Sequence, residues 1–433
     1  MHELALALTA LALVCSALLV VFMAADFHLT LLHLKLRQRG LALEEKLLSQ
    51  PLPHYRALPH VVVQVTVCND GALVERAIAS AVRLDWPRDK LHIQICDDSD
   101  DETTDIARAA VAPLTASGFD IAVLRRRDRA DFKAGNLREA MAKSPHQFFA
   151  IFDVDYVPPP DFLRRAMAPL ISDPSLGFVQ ARWDFLNADE NALTRAQALA
   201  LDNHHAVEQA TRSWAGHPFT FNGTGGIWRR AAIEAAGGWR GDTLAEDLDL
   251  SYRAWLKGWR GMFLISVSVP GELPADRAHW VRQQNRWTTG FGQVARTMIP
   301  AVLRDPRLDR SARTAALLHL ATAWWGAPVT FLMIAAMIGA AAIEPAWLGL
   351  FGLVLLVLVV AAHAVLFTSL RIANRFLRGR SVPLGRFMAD FLYVSLLGIY
   401  LALVNALAYW RAITGRRTHF ERTPKQGSVR IGS

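Results

Sequence analysis

Two acidic runs in the chain have the composition of a divalent-cation site: Asp97-Asp98-Ser99-Asp100-Asp101-Glu102 and Asp153-Val154-Asp155. Carboxylates at alternate positions of an extended segment project to one side. A hard divalent cation takes oxygen ligands of this kind, few of them from protein, with a diphosphate supplying the remainder. An Asp-rich loop can equally serve turns and helix caps, but two such loops at strand ends within one array favour a ligand site. Farther along, Glu246-Asp247 opens a helical stretch, Glu246–Lys257, where an acidic pair also suits the helix dipole. Gln283, Arg286 and Trp287 fall at i, i+3 and i+4, one face of a helix. Amide, guanidinium and indole together suit a diphosphate held beside a sugar ring, because Arg chelates phosphate oxygens and Trp covers apolar sugar faces. The His204-His205 pair has no second His or Cys at ligand spacing and reads as structural.

These residues need a scaffold, and the chain between about Gly40 and Arg310 provides one. Apolar, β-branched runs at His60–Val67, Leu91–Cys96, Ile121–Leu124 and Phe148–Phe152 alternate with helical spacing at Leu73–Leu84, Thr103–Thr115 and Ala134–Ala142. Near-continuous apolar strands separated by helices imply an α/β fold with a mostly parallel, doubly wound sheet. Ligands of such sheets bind beyond the carboxyl ends of the strands, where the acidic runs fall. Neither G-x-x-x-x-G-K-[ST] nor G-x-G-x-x-G follows the first strand, which disfavours P-loop and dinucleotide sites. Cys15, Cys68 and Cys96 lack metal-ligand spacing and suit a reducing compartment, with Cys96 a buried strand thiol.

Of the 433 residues, 52% are hydrophobic, and Lys+Arg outnumber Asp+Glu by 47 to 39, a net charge of +8. That excludes a disordered chain and points to globular and membrane-embedded parts together. Leu4–Ala25 carries no charge and is long enough to cross a bilayer core. It lacks the basic start and cleavage site of a signal peptide. Further apolar runs lie at Ala315–Ile343, Ala346–Leu370 and Phe391–Trp410. The excess positive charge flanks these runs, so it reads as topological and not as a nucleic-acid footprint. Lys35, Arg37 and Arg39 place the middle of the chain in the cytoplasm. If Phe391–Trp410 spans fully, the basic tail (Arg411, Arg416, Arg417, Arg422, Lys425 and Arg430) falls outside, against the same rule. One of the runs is therefore expected to be interfacial or re-entrant, with the tail inside.

In order, Val67-Cys68-Asn69-Asp70, Asp97-Asp98-Ser99, Phe132 to Leu137, Asp153-Val154-Asp155, Gln180-Ala181-Arg182-Trp183, Phe221 to Thr224, Ala245-Glu246-Asp247 and Gln283-x-x-Arg286-Trp287 form a set. It resembles the family 2 membrane glycosyltransferases, the D,D,D,QxxRW synthases of cellulose, chitin and hyaluronan. The nearer likeness is to cellulose-synthase-like mannan and glucomannan synthases and their bacterial relatives. The resemblance implies a GT-A nucleotide-sugar-binding domain (40–310) between an N-terminal transmembrane helix (1–39) and a C-terminal transmembrane region (311–413), with a basic cytoplasmic tail (414–433). It assigns Asn69, Asp98, Lys133, Asp153, Gln283 and Arg286 to the nucleotide sugar, and Asp153 and Asp155 to Mg²⁺ or Mn²⁺. Asp247 takes the place of the general base, and Phe221, Asn222, Gly223, Thr224 and Trp287 that of the acceptor site. The implied protein is an integral membrane hexosyltransferase of a bacterial-type inner or plasma membrane, catalytic domain inside. It extends a β-linked polysaccharide from GDP-mannose or UDP-glucose, and admits accessory export subunits as partners. The alternative acceptor is a membrane lipid receiving one or two sugars.

Two motifs depart from the family pattern: Thr66-Val67-Cys68-Asn69-Asp70 stands for Pro-x-Tyr-Asn-Glu, and Ala245 precedes the Glu246-Asp247 pair. In the tail, Phe420-Glu421-Arg422-Thr423-Pro424-Lys425 is similar to the gating-loop motif Phe-x-Val-Thr-x-Lys, which assigns Phe420, Thr423 and Lys425 to closure over the donor. A basic segment of this kind also binds anionic lipid.

Overall fold

A computed structural model describes residues 1–126, 128–378 and 382–414. The β-branched run at the start of the middle block forms β1 (Val61–Val67), buried on both faces, and three more strands follow through helices. They are β2 (Leu91–Asp97), β3 (Asp120–Arg125) and β4 (Phe148–Asp153), connected by α2 (Gly71–Val82), α3 (Thr103–Ala116) and α4 (Phe132–Ala142). α1 (His2–Leu48) precedes them. Beyond β4 come α5 (Phe162–Ser172), β5 (Leu176–Phe185), α6 (Ala192–Asn203), a π-helical turn at His204–Gln209 and α7 (Ala210–Trp214). Then follow β6 (Gly226–Arg229), α8 (Arg230–Ala235), α9 (Glu246–Leu256), β7 (Arg260–Gly271) and α10 (Arg277–Arg304). The last four helices are α11 (Arg310–Ile343), α12 (Leu348–Arg378), α13 (Leu384–Val404) and α14 (Ala406–Thr414).

The strands form one seven-stranded sheet in the order β3-β2-β1-β4-β6-β5-β7. β1 pairs in parallel with β2 and β4, β2 with β3, and β5 with β7, whereas β6 runs antiparallel to both neighbours. The expected α/β fold with a mostly parallel sheet is therefore observed. One apolar layer packs α2 and α5 on the sheet, and another packs α4 and the aromatic residues Phe219, Phe221, Trp228 and Trp239 on its opposite face. Because β1, β2 and β4 run the same way, their carboxyl ends meet at one edge.

α1 runs without a break through Gly40, and its last turns pack against α7 and β7. Gly40 fits against Trp214, whose indole lies 2.3 Å from where a Cβ would stand. Register between β5 and β7 jumps from Ala181↔Leu264 to Arg182↔Ser268, which takes residues 265–267 out of the ladder. The buried Glu44 carboxylate accepts from the Ile265 amide (3.2 Å), the Ser266 amide (2.8 Å) and the Ser266 hydroxyl (2.6 Å). A bulge leaves such donors unpaired and a buried donor must be satisfied. Glu44→Ala is therefore expected to destabilise the fold by about 2–3 kcal/mol in chemical denaturation.

Among the described residues, four helices are long and apolar enough to cross a membrane: α1, the Gly326–Ile343 part of α11, the Pro345–Arg378 segment containing α12, and α13. Both ends of α13 meet the sheet-bearing block. At its start Arg386 pairs with Asp189, Asp390 with Arg195 at 3.2 Å, and Phe387 and Phe391 pack with Leu199 of α6. At its finish Asn405 donates to Thr288 Oγ1 of α10 at 2.9 Å, and Ala412 of α14 packs among Leu248, Tyr252 and Val302. Leu392, Leu396, Ile399 and Leu403 form an exposed apolar stripe along the helix between these anchors.

Candidate active site

Register sets the floor of the cleft. Thr66 on β1 lies beside Asp153 on β4, and its hydroxyl donates to Asp153 Oδ1 at 2.7 Å. Lys133 Nζ donates to the same oxygen at 2.6 Å and to the Gly223 carbonyl at 3.0 Å. Lys133 comes from the first turn of α4, after two residues with left-handed backbone, Asp131 (φ 59°) and Phe132 (φ 45°). Such conformations are costly for non-glycine residues and concentrate at functional sites. Asp155 is buried on the same strand end, and its carbonyl accepts from Arg76, which also pairs with Glu272 at 2.6 Å.

Asp98, at the end of β2, is clamped by Arg126. The guanidinium donates Nε to Oδ1 at 2.8 Å and Nη2 to Oδ2 at 2.6 Å, and it also binds the Ala130 and Phe132 carbonyls at 2.9 Å. Both side chains are buried. Removing one partner of such a pair strands a buried charge, so Arg126→Met is expected to lower stability by about 3 kcal/mol and weaken donor binding, measured by urea titration and calorimetry. Asn69 stands apart. It has a left-handed backbone (φ 56°), exchanges hydrogen bonds with Asp100, and does not line the cleft.

Residues 220–226 approach from the opposite wall. Gln180 Oε1 accepts from the Asn222 amide at 2.8 Å, and its Nε2 donates to the Thr224 carbonyl at 2.9 Å, as does the Trp183 indole at 3.1 Å. The Gln180-x-x-Trp183 spacing thus holds this loop. Asn222 and Gly223 line the cleft. Phe221 is buried beside Phe178 and Trp228, and Thr224 is buried accepting from the Asp153 amide at 2.9 Å. Those two stand behind the cleft wall. Gly223 has φ +81°, and a Cβ there would lie 2.9 Å from Asp247 Oδ2 and 3.5 Å from Lys133 Nζ. Gly223→Ala is expected to lower turnover at least tenfold with little change in far-UV circular dichroism, since it crowds the reacting space and strains the backbone.

Asp247 sits in the first turn of α9 and faces this gap, its Oδ1 accepting from the Leu248 amide at 2.8 Å. Burial, then the adjacent Glu246 charge, push its carboxyl up to about 7, while the Leu248 amide and Lys133 oppose the shift. Asp249 faces elsewhere, in a buried ion pair with Arg253 at 2.7 Å, so it is structural. α10 docks tightly here: a Cβ on Gly290 would meet the Ala245 amide at 2.8 Å, and Gln293 accepts from the Leu244 amide at 2.8 Å. This contact brings Gln283, Arg286 and Trp287 onto the cleft wall beside Asp98, Lys133, Asp153, Asp155 and Asp247.

Two carboxylates from one strand end, with Glu272 nearby, make an all-oxygen donor set of the chemistry a hard divalent ion takes. The residues fit that role. Arg126 escaped the sequence reading although it lies in Arg125-Arg126-Arg127, a basic run at a strand's carboxyl end. His204 pairs with Glu208 at 2.9 Å and His205 is buried against Phe263, consistent with structural roles. Cys96 is buried as expected. Phe420, Thr423 and Lys425 lie outside the described residues.

Residues 59–290, more than half of the chain, match the family described as glycosyltransferase like family 2. The chain belongs to this glycosyltransferase family. It is 40% identical over 254 residues to glucomannan 4-beta-mannosyltransferase 2 of Arabidopsis thaliana, covering 58% of this chain and 48% of that protein. A probable glucomannan 4-beta-mannosyltransferase 6 of Oryza sativa subsp. japonica is 39% identical over 257 residues, covering 58% and 45%. The chain thus spans about half the length of the curated relatives it matches. A mannosyltransferase from Pyrobaculum calidifontis, solved with GDP-Man and Mn²⁺, shares the fold with a TM-score of 0.56 at 21% identity, over 88% of this chain and 99% of that one.

Proposed function

We propose that this family 2 glycosyltransferase is an inverting, processive hexosyltransferase that moves mannose or glucose from GDP-mannose or UDP-glucose to a growing β-linked glycan. The observation that carries the reading is one proton-avid carboxylate, Asp247, set against the Lys133–Asp153 pair across the Gly223 gap. A sugar hydroxyl is a weak nucleophile, and Asp247 removes its proton as it attacks the anomeric carbon. Lys133 and Arg286 offset charge growing on the departing diphosphate, and Asp98 holds the nucleotide end through the loop that Arg126 fixes. Asn222 and Trp287 orient the acceptor. Asp153 and Asp155 would hold Mg²⁺ or Mn²⁺, which supplies further electrostatic stabilisation of the diphosphate. One base suffices, unlike the paired carboxylates of glycosidases.

α13 supports one membrane arrangement. A helix anchored to the catalytic block at both ends, with an apolar stripe between, lies in the bilayer interface and does not cross it. With α1, α11 and α12 as the spans, the catalytic block and the basic tail share the cytoplasmic side, and the positive-inside rule is met throughout.

Product mass decides the acceptor. Detergent-purified protein given GDP-mannose, UDP-glucose and Mn²⁺ is expected to release nucleoside diphosphate and make polymer. A product limited to lipid-linked mono- or disaccharide would reject processivity.

A further inference from the structure

The parallel strands that carry the cleft acids at their carboxyl ends carry histidines at their amino ends. His60 immediately precedes β1, His92 is the second residue of β2, and His146 lies two residues before β4. Sheet order β2-β1-β4 places the three side by side. His60 and His146 rings stand 4.7 Å apart, His92 and His146 4.0 Å, and His60 and His92 5.1 Å. His60 Nδ1 meets His92 Nε2 at 2.8 Å, and one nitrogen from each ring lies within 4.8 Å of the others. This cluster is about a strand length, roughly 20 Å, from the cleft.

We propose that His60, His92 and His146 form a second metal site, one for a borderline transition-metal dication of the Zn²⁺ type. Two observations support it. Asp120 Oδ2 lies 2.5 Å from His92 Nδ1, so the carboxylate fixes this ring with its Nε2 directed at His60. A carboxylate orienting the far nitrogen of a ligating imidazole is the usual second partner of a histidine–metal bond. The donor set is all imidazole, which selects Zn²⁺, Cu²⁺ or Ni²⁺ over the hard ions suited to Asp153 and Asp155.

A tetrahedral Zn²⁺ with bonds of about 2.0–2.1 Å needs nitrogens about 3.3 Å apart. The His60–His92 separation is already shorter than that, and rotation of the exposed His60 ring and of His146 adjusts the remainder. The fourth position falls to water because His60 is exposed there. Bound metal would tie the amino ends of β1 and β2 to the entry into β4. The site is therefore a staple for the sheet, separate from transfer chemistry.

The test uses the full chain, purified in detergent without a histidine tag and stripped with EDTA. Zn²⁺ is titrated in excess Mg²⁺, which occupies carboxylate sites, and bound metal is counted by mass spectrometry. Wild type is expected to hold one Zn²⁺ per chain that the His92→Ala/His146→Ala double variant does not. Asp120→Asn is expected to weaken binding about 10–100-fold. Circular dichroism of each variant checks folding. A measurement on wild type alone removes dependence on the variants: Cu²⁺ bound at one equivalent should show nitrogen hyperfine coupling in its electron paramagnetic resonance spectrum. Oxygen-only coordination of that Cu²⁺, or equal Zn²⁺ binding by wild type and a folded double variant, would overturn the proposal.

Discussion

Asp247→Asn is expected to lower sugar transfer by at least two orders of magnitude while donor binding persists, because the lost carboxylate acts on the acceptor hydroxyl. The same change should leave the protein as stable or more so. Folding raises this carboxyl from about 3.8 to about 7, so the folded chain holds the proton more tightly than the unfolded chain. The stability contributed by the protonated form is complete below pH 4 and is lost as pH rises through 7. An amide never ionises, and at pH 8 its melting temperature should exceed wild type by on the order of a few degrees. In wild type, kcat/KM should fall below about pH 7 as Asp247 takes up its proton. A purely structural acidic pair at the start of α9 would produce the opposite pattern, with stability lost and turnover retained. Asp242, exposed a few residues upstream, is the suitable control. Asp249→Asn would disturb the buried pair with Arg253 instead.

Asp155→Ala and Asp153→Ala are each expected to weaken Mn²⁺ and donor binding together and to reduce transfer at least about a hundredfold. Asp153→Ala also frees Lys133 and Thr66 from their shared oxygen, so its effect on the folded cleft should exceed that of Asp155→Ala. In wild type, EDTA should abolish transfer and Mn²⁺ should restore it. Paired calorimetry, donor into protein with and without Mn²⁺, separates this from damage to the base. Full transfer by EDTA-treated protein would remove the metal from Asp153 and Asp155.

Much of this was legible in the chain because periodicity reports local geometry. The Val-rich run of β1 and the helical spacing of α2 and α3 mark their elements to within a few residues, and parallel strands oblige the acidic ends to converge. Pairings across long loops left no such trace. Arg126 meets Asp98 only through the adjacency of β2 and β3, and Glu44 meets Ser266 across most of the domain. Residue types alone also do not report depth in residues 221–224, where the loop turns Phe221 and Thr224 inward and Gly223 toward the cleft. In α13, apolar content alone is equally compatible with crossing a bilayer and lying along it; the interfacial placement proposed above rests on contacts at its two ends that periodicity does not report.

The most direct test is the anomeric configuration of product formed from GDP-mannose, read by nuclear magnetic resonance for wild type and Asp247→Asn side by side. The donor is α-linked, and a single displacement assisted by one base inverts it. A β-linked product from wild type, with one GDP released per sugar, and almost none from folded Asp247→Asn is the expected result. An α-linked product, or an Asp247→Asn variant that keeps more than about a tenth of wild-type turnover, would contradict it.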